Sequence, residues 1–146
     1  MFLISKFTSL LLVIFLVSCA SLQQQQSTPS LLDTEWLLED LGGKGVLDRI
    51  QATLAFPAPN KAAGNGSCNR FFGGVEIKGE TIKFDQLATT LMACPSEAIS
   101  NQESNYLLAL QKAERVVIDG PFLLIYAKEL DKPLRFTRIS HTGKPQ

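Results

Sequence analysis

The chain has one histidine, His141, and no Cys-x-x-Cys pair, so a Cys/His zinc site lacks its ligands. Catalytic signatures are equally scarce. There is no Gly-Lys-Ser/Thr segment to cradle a phosphate. Thr89 and Thr90 have no nearby base, and the lone His lies in a polar C-terminal stretch expected to fray. An excess of charge of either sign is also missing: 14 Lys and Arg balance 14 Asp and Glu among 146 residues. Without a basic field the chain has no means of holding nucleic acid. Long apolar runs are absent too, the most extended being Leu10 to Val17, well short of a membrane span.

That run follows Lys6 and ends at Leu16-Val17-Ser18-Cys19, which resembles a bacterial lipobox. The resemblance implies that residues 1–18 are a lipoprotein signal peptide. Cys19 would then become a diacylated and N-acylated N-terminus, holding the protein to a membrane without crossing it. Ala20 stands where an Asp would suggest inner-membrane retention, so the expected location is the outer membrane, facing the periplasm. Residues 19–30, with four consecutive glutamines, are polar and have no apolar periodicity; they read as a flexible tether. Removing residues 1–18 takes away one basic side chain, Lys6, and leaves a formal charge of −1.

Residues 31–139 have the length of one domain with one core, followed by a polar tail at 140–146. Two cysteines remain for it, Cys68 and Cys94, and an even pair in an exported domain is expected to form a disulfide. Short apolar segments separated by turn residues dominate. Strands are expected over Thr34–Asp40 and over Ala52–Phe56, the second stopped by Pro57 and Pro59. Further extended segments are Ser67–Phe72, a hairpin of Val75–Ile77 with Thr81–Phe84, then Arg115–Ile118, Phe122–Tyr126 and Leu134–Arg138. One stretch is helical: Ser100 with Glu103 forms a capping box, and Tyr106, Leu107, Leu110 and Ala113 share a face. The fold class is α+β, a curled antiparallel sheet or cracked β-barrel of about seven or eight strands with one packed helix.

Gly64 to Gly73, containing Cys68-Asn69-Arg70-Phe71, and then Leu87 to Cys94, containing Met92-Ala93-Cys94, resemble the two linked motifs of the META/HslJ family of small exported bacterial proteins. One departure is Leu91, where many members have Arg or Lys. The resemblance spans nearly all of Leu31 to Ile139 and implies a barrel with a helix, associated broadly with envelope stress, antibiotic tolerance or secretion. Asn69 and Arg70 are the candidate partner-binding residues; the alternative is that they close a hydrogen-bond network that shapes their loop. Gly64 and Gly66 read as turn geometry rather than an anion site, Glu97 and Glu103 as solvated or capping carboxylates, and Trp36 and Phe122 as core or barrel-mouth residues. The expected function is a non-enzymatic, lipid-anchored binding module without cofactor or metal, engaging an envelope protein. The alternative is a carrier of lipid or another hydrophobic ligand, and the least favoured class is an envelope hydrolase or thiol oxidoreductase.

Overall fold

The computed structural model describes residues 30–139. Cys19, the signal segment, most of the tether and the C-terminal tail lie outside them. Nine strands and one helix follow in the order β1 (Glu35–Leu41), β2 (Thr53–Ala58), β3 (Lys61–Asn65), β4 (Arg70–Lys78), β5 (Thr81–Phe84), β6 (Ala88–Thr89), α1 (Glu97–Gln111), β7 (Ala113–Asp119), β8 (Phe122–Ala127) and β9 (Leu134–Arg138). All registered pairings are antiparallel.

Eight of the strands close into a ring, because the row β3-β2-β1-β9-β8-β7-β5-β4 is joined at its ends by β3 pairing with β4. The short β6 adds to the outside of β4 through Phe71↔Thr89 and Phe72↔Ala88. The expected barrel with one helix is present, and the sheet is closed rather than merely curled. Its thinnest seam lies between β5 and β7, where Thr81↔Arg115 is the one registered pair.

Period-two alternation fills the interior, as a half-buried strand requires. Trp36 and Leu38 of β1, Leu123 and Ile125 of β8, and Leu134 and Phe136 of β9 are buried, whereas their sequence neighbours are partly exposed. The Trp36 indole donates to Thr34 Oγ1 at 2.8 Å, so its single polar atom is satisfied. Phe122 is only half-buried, with the Arg135 guanidinium 5.0 Å from its ring.

The boundaries of three elements differ from expectation. β2 runs through Pro57 to Ala58, and the β2–β3 register shifts between Ala55 and Ala58, a local irregularity that accommodates a residue without an N–H. β4 likewise continues through Gly73 and Gly74, over which the side chains of Leu87 and Asp85 pass closely. The helix begins earlier than Ser100: its cap is Ser96, whose side chain accepts from the Ile99 N–H at 3.3 Å, with Glu97 in the first turn. It also ends sooner, so Ala113 is the first residue of β7. Tyr106 and Leu110 do face the core; the Tyr106 hydroxyl donates to the Thr53 carbonyl at 3.1 Å, and the ring meets Phe71 edge-on at 5.9 Å. No helix among the described residues is long and apolar enough to cross a membrane.

Candidate functional site: a disulfide-braced loop on the helix

Residues 66–69 join β3 to β4, and residues 90–96 join β6 to the helix. The disulfide between Cys68 and Cys94, with Cα atoms 5.7 Å apart, ties the two loops together. Beside it lies Glu103, on the second turn of α1 and largely buried. Its Oε2 accepts from the backbone N–H of Cys68 at 2.9 Å and of Asn69 at 2.5 Å, while Oε1 accepts from Asn69 Nδ2 at 2.8 Å. A buried carboxylate is costly unless its lone pairs are used, and here three N–H donors use them. The capping role expected for Glu103 is thereby replaced by a long-range one.

Asn69, only 6% exposed, carries the network onward. Its Oδ1 accepts from the Met92 N–H at 2.7 Å and from Thr90 Oγ1 at 3.0 Å, and its backbone carbonyl accepts from the Gly66 N–H at 2.7 Å. Thr90 Oγ1 in turn accepts from the Arg70 N–H at 3.1 Å. One amide side chain thus links both loops to the helix. Gln102, which directly precedes Glu103, does similar work, donating to Ser67 Oγ at 2.9 Å and accepting from the Leu47 N–H at 2.7 Å.

Gly66 is needed for this contact. A Cβ built there would stand 2.8 Å from Glu103 Oε2 and 2.9 Å from its Cγ, closer than atoms approach without displacement. The Gly66 N–H is already donated to Asn69 and points to no anion. Gly64 lies inside β3, against the Thr53 carbonyl and the Phe71 ring.

The structure therefore separates the two candidate recognition residues. Asn69 is a brace, with every polar group of its side chain engaged inside the protein. Arg70 is exposed, and its guanidinium has no ion-pair or hydrogen-bond partner among the described residues. Around it the surface is unusually apolar: Leu91 is 95% exposed, Met92 60% and Phe72 59%. Arg70 and Phe72 are two apart on β4, so both project outward, and β6 sets Ala88 beside Phe72. Cys68, Cys94 and Glu103 also place three metal-type donors within 4.8 Å of one another. The sulfurs are bonded to each other and the carboxylate oxygens receive N–H groups, so this oxidised arrangement presents no free ligand set.

The paired loops, the disulfide and the helix carboxylate all fall within residues 29–140, which match the profile of the META domain. The chain belongs to the META domain family. The META barrel is similar to a protein from Burkholderia xenovorans solved by NMR, with 25% identity over 76% of this chain and 85% of that one and a TM-score of 0.60. A second NMR structure has 21% identity over 72% of this chain and 88% of that one, with a TM-score of 0.59, and supports the fold alone. No curated protein matches the chain. What the sequence reading missed in this META domain is the place of Glu103. The available signal was helical spacing: Gln102 and Glu103 stand four and three residues before Tyr106, on the face shared by Tyr106, Ala109 and Leu110 that packs on the barrel.

Proposed function

We propose that the protein is a lipid-anchored envelope component that acts, without catalysis, by binding a protein partner through the braced loop. The observation that carries this reading is the exposure of Leu91, Met92 and Phe72 beside the unpaired Arg70, where β4 meets loops held by a disulfide and a buried Asn–Glu network. A rigid loop loses little conformational entropy when a partner docks, and phenylalanine, methionine and arginine are residue types enriched at protein interfaces. The anchor at Cys19 is the accompanying proposal: it would confine the domain to the periplasmic face of the outer membrane and raise its effective concentration towards partners there. A role in envelope stress, antibiotic tolerance or secretion is consistent with such a module.

Crosslinking in intact envelopes tests the reading. The wild-type chain is expected to give a discrete adduct that Leu91→Ser abolishes and Arg70→Ala reduces, with the unfolding midpoint of each variant unchanged. Equal adducts from all three proteins would overturn it, as would a loss of adduct that merely tracks a loss of stability.

A further inference from the structure

A concavity lies where the barrel seam is thinnest. β5 begins at Thr81, and the Val116 N–H reaches back to the Glu80 carbonyl at 2.7 Å. Beyond that point β7 runs on through Val117 and Ile118 with no registered strand partner on this side among the described residues. The β2–β3 turn and the entering segment at Leu31 and Leu32 flank the gap. Together they leave a cavity of about 460 Å³, inside the ~300–1,000 Å³ range of small-molecule sites. Its walls include Leu31, Phe56, Val75, Ile77, Val116 and Ile118, several of them members of the barrel core. The cavity is thus an extension of the barrel interior to the surface, and it shares no residue with the braced loop.

Charge at the rim is asymmetric. Lys61 lines the cavity and has no carboxylate partner among the described residues. Glu80, the acidic residue of the lining, faces Arg115 at 3.4 Å. The free charge at the mouth is therefore positive, above an apolar interior. We propose that this cavity binds one long hydrocarbon chain bearing an anionic head, of the fatty-acid class, with the chain against Phe56, Val75 and Val116 and the carboxylate at Lys61. The chain's N-terminal continuation leaves from Ser30, itself a lining residue. With the anchor proposed above, the mouth stays within the reach of eleven residues, at most roughly 40 Å, of the bilayer that supplies such amphiphiles.

Binding can be tested apart from anchoring with residues 19–146 carrying Cys19→Ala, which contain the whole described barrel. The probe is a dansyl-labelled undecanoic acid, displaced by unlabelled hexadecanoic acid, with hexadecanol as the neutral counterpart. Saturable, displaceable binding of the acid is expected. Lys61→Glu should weaken the acid by roughly three- to tenfold and leave hexadecanol competition unaltered, the size expected of reversing one rim charge, which removes an attraction and adds a repulsion. Val117→Glu and the exposed Leu32→Glu should each abolish binding of both, with thermal unfolding checked for each; Leu32 is 48% exposed, so its replacement spares the core even if Val117→Glu fails to fold. Absence of saturable binding would overturn the proposal, as would binding that survives in folded Leu32→Glu and Val117→Glu proteins. Loss of hexadecanol competition together with the acid in Lys61→Glu would overturn the headgroup assignment. None of these outcomes depends on whether Cys19 is acylated or whether the braced loop captures a partner.

Discussion

Glu103 satisfies three donors at once, so its loss should be felt well beyond a single hydrogen bond. Glu103→Ala is expected to cost roughly 3–5 kcal/mol in urea unfolding, because bonds to a charged acceptor disappear and the buried N–H groups of Cys68 and Asn69 are left unpaired. A double-mutant cycle with Asn69→Ala should show strong coupling; additive losses would mean that the two residues act separately. Tyr106 gives a second expectation at this scale. Its complete burial pushes the phenol well above its ordinary value of 10.0. The unfolded chain then loses this proton before the folded one does, so stability is unaffected below that ordinary value and falls as pH rises above it, by up to ~1.4 kcal/mol per pH unit. Tyr106→Phe should flatten the alkaline limb of the stability curve while losing about 1 kcal/mol at neutral pH with the bond to Thr53. An alkaline limb of unchanged slope would contradict this. The sequence identified Cys68, Asn69 and Arg70 as a locus but could not divide their roles, because burial of one neighbour and exposure of the next is decided by a helix 34 residues further along the chain.

Between elements, the decisive contacts are those of the two loops with α1. Gly66→Ala must displace Glu103 or the loop and is expected to cost roughly 1–3 kcal/mol. Combining it with Glu103→Ala should recover part of that cost, since the obstructing side chain is then gone. Reduction of Cys68–Cys94, or Cys68→Ala, should lower stability by roughly 2–5 kcal/mol, measured as a shift in the urea midpoint. β1, β7 and β8 were legible in the sequence as apolar segments between turns and β9 by its alternation, as was the β4–β5 hairpin with its turn at Gly79. β3 was not: Lys61–Asn65 is short, alanine- and glycine-rich, and is a strand because it lies between β2 and β4. The start of the helix was misplaced for a related reason. Ser96 and Ser100 both offer cap chemistry, and Pro95, directly after the disulfide cysteine, lies beside the one that is used.

For the molecule as a whole, the anchor and the barrel make separable expectations. Intact mass of the mature wild-type protein should exceed that of residues 19–146 by its acyl groups, and Cys19→Ala should leave unprocessed precursor; an unmodified wild-type chain would reject the anchor. The pairing of β1 with β9, from Trp36↔Arg138 to Leu41↔Leu134, has a different consequence. The first strand of the barrel acquires one of its two neighbours only when the last has become available, after almost the entire domain has emerged from a ribosome or an export channel. Until then β1 and β8 each present an unsatisfied edge to any other chain nearby. Such non-local closure folds slowly; for the exported chain proposed above, that delay would keep the polypeptide translocation-competent and would place its vulnerable interval after crossing. A chain stopped before Leu134 should therefore aggregate rather than accumulate as a partial barrel.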